Sequence, residues 1–262
     1  MKITIIGAGA MGGAIARGLV KSNAVSASDI TVTAKTQKTL DSFANYGINT
    51  SLDNREAAAN ADIVCLAVKP WLMEEVINGI KDTLDYSRQI IISVAAGISA
   101  KQITEWMQRD GKMAPLFLVI PNIAIEQLAS MTFVVPAGAT DQQTATVKSL
   151  FDSMGSTLIT DEQHLGAGMM LASCGIAFAM RYVRASAEGG VELGFKADVA
   201  KDIVLQTLKG TVSLLQANGN HPEAEIDKVT TPGGITIKGL NEMEHAGFTS
   251  AVIRGLKAGL KR

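Results

Sequence analysis

Two glycine-containing stretches hold the residue types that could bind and orient a small anionic ligand. The first is Asp227-Lys228-Val229-Thr230-Thr231-Pro232-Gly233-Gly234-Ile235-Thr236-Ile237-Lys238-Gly239-Leu240. Thr231 has the side chain of an N-cap, and Pro232 suits the first helical position, where a missing N–H costs nothing, so the pattern predicts a helix starting there. Gly233 and Gly234 are costly inside a helix unless something must approach the backbone, and the free N–H groups of a first turn are a ready site for a carboxylate. On this reading Thr236 lies one turn in, its hydroxyl available to the same ligand. The competing reading is a glycine-rich helix start that serves only tight helix packing.

The second stretch is Gly7-Ala8-Gly9-Ala10-Met11-Gly12-Gly13, preceded by the apolar run Ile3-Thr4-Ile5-Ile6 and followed by Ala14-Ile15-Ala16-Arg17-Gly18-Leu19. Strand, tight turn and helix in that order are what a dinucleotide needs. The first glycine allows the turn, the second admits the pyrophosphate to the backbone, and the third lets helix and strand pack closely. A second strand at residues 30–34 ends where an NAD-specific site would carry a carboxylate for the ribose 2′-hydroxyl. Here the chain continues Lys35-Thr36-Gln37-Lys38, a cation and a hydroxyl able to hold a 2′-phosphate, so NADP(H) is favoured and NAD(H) is second choice. Alternatively, Lys35 and Thr36 are ordinary solvated residues opening the next helix.

The remaining elements must position these two stretches. Alternation continues with a helix over 53–60, a strand over 63–68, a helix over 70–84, a strand over 89–94 and a helix over 99–109. Two further strands, 131–135 and 156–159, flank a helix over 142–153. Such alternation predicts a mainly parallel, doubly wound sheet with ligands at the carboxyl ends of its strands, among them Ala67-Val68-Lys69-Pro70 and Val94-Ala95-Ala96-Gly97. Beyond residue 160 no strand pattern appears, and helices are expected over 165–192, 197–217 and 232–245. The fold class is thus α/β, a Rossmann-type domain over 1–160 followed by an all-α domain over 161–262. Residues 165–180 carry no charge and fall short of the roughly 18–20 apolar residues that span a bilayer. A helix apolar on all sides is buried, and in a small helical domain its partner is expected to be a second subunit, giving a homodimer.

Composition narrows the class of ligand. With 24 basic and 25 acidic residues in 262, the net charge of −1 argues against nucleic acid or an anionic membrane as partner. The N-terminus is too short in apolar residues for a signal peptide, so a cytoplasmic protein is expected. Cys65 and Cys174 lie in apolar runs that read as core, and His164, His221 and His245 lack metal-ligand spacing, so no metal site is expected.

Together these residues resemble the pyrroline-5-carboxylate reductase family along nearly the whole chain. The resemblance is carried by Ile6-Gly7-Ala8-Gly9-Ala10-Met11-Gly12, Asn54, Leu66-Ala67-Val68-Lys69-Pro70, Ser93-Val94-Ala95-Ala96-Gly97-Ile98, Gly190-Val191-Glu192-Leu193-Gly194, Gln206-Thr207, His221-Pro222 and, most specifically, Val229-Thr230-Thr231-Pro232-Gly233-Gly234-Ile235-Thr236. It implies hydride transfer from NADPH to the C=N carbon of a cyclic imino acid, yielding proline. It also implies cofactor contacts at Ile6, Gly7, Ala8, Gly9, Ala10, Met11, Gly12, Lys35, Thr36, Asn54, Ala67, Val68, Lys69, Pro70, Val94, Ala95 and Ala96. Substrate contacts are implied at Asn122, Val229, Thr231, Gly233, Gly234, Ile235 and Thr236, with Thr236 at the ring nitrogen and Thr231 at the carboxylate as the catalytic pair. A homodimer is implied, with a higher assembly of dimers open.

Two motifs depart from the family pattern. Ile120-Pro121-Asn122-Ile123-Ala124-Ile125 stands for Met-Pro-Asn-Thr-Pro-Ala, and Ala172-Ser173-Cys174-Gly175-Ile176-Ala177-Phe178 for Ser-Gly-Ser-Gly-Pro-Ala-Tyr. A related imine reductase, a 3-hydroxyacid dehydrogenase of the same layout and a non-catalytic NADP-binding relative are the rival readings. The dehydrogenase wants a lysine on the first helix of the C-terminal domain, and residues 165–180 contain none. A binding-only relic would have no need of residues 231–236.

Overall fold

The computed structural model describes residues 1–260, and the chain divides into two compact units, Met1–Ser173 and Cys174–Arg262. The first unit is an eight-stranded sheet: β1 (Ile3–Ile6), β2 (Ile30–Thr33), β3 (Asn49–Ser51), β4 (Ile63–Leu66), β5 (Ile90–Ser93), β6 (Leu116–Ile120), β7 (Ser130–Ala137) and β8 (Gly155–Ile159). Their order is β3-β2-β1-β4-β5-β6-β7-β8, parallel throughout except for the antiparallel β6–β7 pair. The order reverses at β1 and β4, so a crevice opens at their carboxyl ends.

Its helices are α1 (Ala10–Ser22), α2 (Gln37–Asp41), α3 (Asn54–Ala59), α4 (Met73–Ile80), α5 (Ala100–Met107), α6 (Asp141–Asp152) and α7 (Glu162–Gly168). Because both faces are covered, the inner strands read as unbroken apolar runs, such as the fully buried Leu116-Phe117-Leu118-Val119-Ile120. One apolar layer joins Ile3, Ile5, Leu19, Phe43, Phe117 and Phe151 under α1 and α6. The other joins Ile6, Leu66, Met73, Ile77, Ile91 and Ile103 under α3, α4 and α5.

Two strands escape the sequence pattern. β6 is five residues between Pro115 and Pro121, too short for periodicity to separate from a buried helical turn. β3 is three residues on the sheet edge and largely exposed. The capping boxes Ser99/Gln102 and Thr140/Gln143 start α5 and α6 where the sequence places them.

The second unit holds α8 (Gly175–Glu192), α9 (Ala197–Asn218), α10 (Pro222–Asp227), α11 (Ile235–His245) and α12 (Phe248–Ala258). Between α7 and α8 lies a π-helical segment, Met169–Cys174. α8 ends in a Schellman arrangement, Phe195 N–H donating to Gly190 O at 3.0 Å and Gly194 N–H to Val191 O at 2.9 Å, with Gly194 at φ +101°. α9 then packs back on α8 so closely that a Cβ on Gly190 would sit 2.8 Å from the Ala200 Cβ. Ala200 is the one buried hydrophobic residue among the described residues of this unit. Leu171, at 65% exposure, and Phe178, at 43%, turn apolar surface outward from the helical run.

Two expectations need correcting. α11 starts at Ile235 with Gly234 as its N-cap, three residues later than Thr231 and Pro232 predict. Gly233 adopts φ +70°, a left-handed conformation that cannot continue into a right-handed helix, so residues 231–234 form a turn instead. Thr236 therefore belongs to the first turn of the helix. Secondly, the length argument against a membrane span fails: the helical run Glu162–Glu192 is 31 residues and, by length and composition, long and apolar enough to cross one.

Candidate active site

The carboxyl ends of β1 to β6 bring almost all the expected cofactor residues to one edge of the sheet. Ile6 ends β1; Gly7, Ala8, Gly9, Ala10, Met11 and Gly12 make the turn into α1; Lys35 and Thr36 follow β2; Asn54 opens α3 after β3. Ala67, Val68, Lys69 and Pro70 follow β4, Val94, Ala95 and Ala96 follow β5, and Asn122 follows β6. Strands that are parallel and in register place residues distant in sequence side by side.

The three glycines of the turn do different work. Gly7 has φ +106°, and a Cβ there would lie 2.8 Å from Ala67 O and 3.0 Å from Val68 Cγ1. At Gly12 a Cβ would lie 1.9 Å from Gly7 O and 2.9 Å from Ala67 Cβ. Both are demanded by the protein's own packing. Gly9 is not, because a Cβ there meets nothing within 4 Å. Its bareness leaves an open approach to the first-turn amides of Ala10, Met11 and Gly12, which have no intrahelical acceptors. The amides of Gly7 and Ala8 are already spent on Thr33 O, at 3.1 and 2.9 Å. This cradle fits a pyrophosphate, with the positive end of α1 behind it. α1 is held in place by Arg17, which pairs with Glu126 at 2.9 Å, and by Gly18, which lies against Ile125 O.

Asn54 is oriented by a residue the sequence did not single out. The buried Thr33 hydroxyl donates to Asn54 Oδ1 at 2.6 Å, which leaves the Asn54 Nδ2 group as a donor at the β2 edge of the crevice. A buried threonine closing the strand just before Lys35 was the available signal. Lys35, Thr36, Lys69 and Ala96 are exposed. Asn122, expected at the substrate, closes β6. It is only 5% exposed, its Oδ1 accepts from Ala124 N–H at 3.0 Å, and its Nδ2 donates to Ala172 O at 3.3 Å. It ties the end of β6 to the π-helical segment, where carbonyls are released from regular helical bonding. In the altered motif beside it, Ile123 is 53% exposed.

In the second unit, Gly234 N–H donates to Thr231 O at 2.9 Å, closing a turn with proline second and a positive-φ glycine third. The amides of Ile235, Thr236 and Ile237 open α11 without intrahelical acceptors. Thr231 and Thr236 are exposed, and neither hydroxyl forms a hydrogen bond among the described residues. Apolar Val229 and Ile235, at 63% and 88% exposure, flank them. The turn is approached from Glu225, whose carboxylate accepts from Lys228 Nζ at 2.6 Å, Asn220 Nδ2 at 2.7 Å and Asn218 Nδ2 at 3.2 Å. The Lys228 bond, then the Asn220 bond, hold Glu225 below the usual carboxylate range. The sequence reading passed over this tether.

The remaining reactive side chains offer little chemistry. Burial pushes the Cys65 thiol up to about 12, so it stays protonated core. Asp161 caps α7 and is held low by its bond from His164, 2.8 Å away. Among the described residues no group of three His, Cys, Asp or Glu could hold a metal ion. What remains is hydrogen-bond donors of the kind that hold anionic groups.

A doubly wound sheet with this glycine cradle and a cationic, carboxylate-free β2 end defines an NADP-dependent oxidoreductase of the Rossmann type. Residues 2–97 match the family described as NADP oxidoreductase, coenzyme F420-dependent, and residues 162–262 match the pyrroline-5-carboxylate reductase dimerisation family. The chain belongs to the pyrroline-5-carboxylate reductase family. Pyrroline-5-carboxylate reductase 2 of Dictyostelium discoideum is 35% identical over 97% of this chain and 89% of that protein. Pyrroline-5-carboxylate reductase 1 of the same organism is 37% identical over 97% of this chain, which spans 48% of that longer protein. The crystal structure of Plasmodium falciparum pyrroline carboxylate reductase with NADP bound superposes with a TM-score of 0.90 at 25% identity, covering 99% of this chain and 95% of that one.

Proposed function

We propose that this protein reduces 1-pyrroline-5-carboxylate to proline at the expense of NADPH. The observation that carries the reading is the turn at residues 231–234 leading into α11, where two unbonded hydroxyls and three free amides meet in a family whose members are named for this substrate. NADPH, when bound, supplies the hydride that the imine carbon accepts. Ala10, Met11 and Gly12 amides donate to its pyrophosphate, Lys35 and Thr36 hold the 2′-phosphate, and Asn54 Nδ2 donates to the adjacent ribose. Ala67, Val68, Lys69, Pro70, Val94, Ala95 and Ala96 shape the rest of the crevice.

On the substrate side, the amides of Ile235, Thr236 and Ile237 and the Thr231 hydroxyl fix the carboxylate, with the positive end of the α11 dipole in support. Thr236 Oγ1 donates to the ring nitrogen, which grows more basic as the C=N bond is reduced. No strong side-chain acid or base is needed, because positioning and stabilisation of the developing amine supply the rate. Asn122 acts in this scheme as a positioning residue at the end of β6. Val229, Gly233 and Gly234 hold the shape of the turn.

The functional division is a cofactor domain over 1–160 and a dimerisation and substrate domain over 161–262. The exposed apolar surface of the Glu162–Glu192 run is covered by a second subunit and not by lipid, in a cytoplasmic enzyme with no nucleic-acid partner. The test is NADPH absorbance in the presence of 1-pyrroline-5-carboxylate. Steady oxidation with proline as product is expected. A folded dimer that binds NADPH yet produces no proline would favour the non-catalytic alternative.

A further inference from the structure

We propose that Trp71 stacks its indole on the adenine of bound NADP(H). This rests on the NADP(H) reading of the same crevice and adds a residue that neither the glycine turn nor the resemblance points to. Trp71 is 77% exposed, more than any other large hydrophobic residue among those described in the first unit. Single exposed apolar residues are common on protein surfaces, so exposure alone carries nothing. Its position does.

The residue sits in the 3-10 turn Pro70–Leu72, which Lys69 separates from the Ala67 and Val68 that back Gly7. From there the chain enters α4, which lies in the same apolar layer as α3, with Ala58 and Met73 both part of it. α3 begins at Asn54, bonded to Thr33 at the end of β2. Just before it comes Leu52, 58% exposed, whose neighbour Ser51 O accepts from Ala34 N–H at 3.4 Å. The start of α3 thus follows Leu52 and is tied to the end of β2, just before Lys35 and Thr36, while Trp71 opens the neighbouring helix of the same layer after β4. In a doubly wound sheet the pyrophosphate rests at the β1–α1 turn, and the adenosine half runs toward β2. A group held there with its 2′-phosphate at Lys35 presents a base beside the start of α3. The base needs a flat apolar cover, and an exposed indole provides one for any purine face. The other tryptophan, Trp106, is packed against the core and leaves Trp71 as the one exposed to ligand.

Adenosine 2′,5′-bisphosphate, which lacks nicotinamide, isolates this contact from catalysis. Titrated into the full chain it should quench tryptophan emission. Trp71→Ala should weaken its binding by about 10-fold in calorimetry, in line with the usual value of a base–aromatic stack. Trp71→Phe should recover most of that affinity while losing the quench. Binding of reduced nicotinamide mononucleotide should be unchanged in both variants. Wild-type affinity for the bisphosphate in Trp71→Ala would overturn the proposal, and a changed oligomeric state at unchanged affinity would assign the indole to a subunit contact. A wild-type chain that fails to bind the bisphosphate overturns the NADP(H) reading as well, whereas absent proline formation with normal binding touches only the proposed reaction.

Discussion

Gly234 and Thr231 are locked together by backbone and side chain at once. The Gly234 N–H donates to Thr231 O at 2.9 Å, while a Cβ on Gly234 would stand 2.5 Å from Thr231 Oγ1 and 3.0 Å from Thr231 O. The glycine therefore makes room for the Thr231 hydroxyl, which the proposed function assigns to the substrate carboxylate. Gly234→Ala should push Thr231 Oγ1 from its place or open the turn, raising KM for the imino acid by about 10-fold or more while the NADPH Kd, measured by fluorescence titration, stays unchanged. An unchanged KM would mean that Thr231 does not meet the carboxylate.

Thr236→Val removes a hydroxyl and keeps the branched shape on an exposed first-turn position, so folding should be retained. In the proposed reaction the donor acts on a nitrogen whose basicity rises as the imine is reduced, so the loss should appear in kcat, by roughly 10- to 1000-fold, with NADPH affinity nearly unchanged. Thr231→Val should mainly raise KM, since a carboxylate contact is made equally in ground and transition states. Wild-type kcat in a folded Thr236→Val dimer would transfer proton delivery to bound water.

Lys35 and Thr36 stand exposed after β2 with no carboxylate beside them in sequence. Lys35→Ala should lower kcat/KM for NADPH by about 10-fold, the scale of one charge-assisted bond to phosphate, and leave NADH little affected. Steady-state kinetics with the two cofactors reads this directly. An unaltered ratio would leave the 2′-phosphate without its cation.

The outward-facing Leu171 and Phe178 predict the assembly. A unit with Ala200 as its one buried hydrophobic among the described residues has no sufficient core of its own and must find one in a second subunit. The wild type should scatter light as a dimer or larger at micromolar concentration. Phe178→Glu, which places a charge in that surface, should shift it toward monomer or lower its thermal midpoint. A folded, monodisperse wild-type monomer would contradict this.

Local patterns determined much of this protein from sequence alone. The β1 run, the glycine turn and α1 were legible because a strand, a tight turn and a helix each write their own period and breakers over a few residues. The parallel sheet followed from alternation, and residues 229–236 stood out as a candidate ligand site because hydroxyls and glycines crowd there, with a helix start used only for packing as the competing reading. Tertiary structure decided what depends on partners far along the chain. Gly7 and Gly12 are glycine because Ala67 lies against them, whereas a Cβ on Gly9 would meet nothing within 4 Å, and the motif's spacing does not contain these contacts. The amide of Asn122 is bonded to Ala124 and Ala172, and Asn54 at the start of α3 is aimed by Thr33 at the end of β2, partners that sequence does not show. The start of α11 was misplaced because a Thr-Pro pair fits both a helix cap and a turn, and only the positive φ of Gly233 separates them. Sequence periodicity encodes which residues share a face, while the distances that turn those residues into a site are set by which strands lie next to each other.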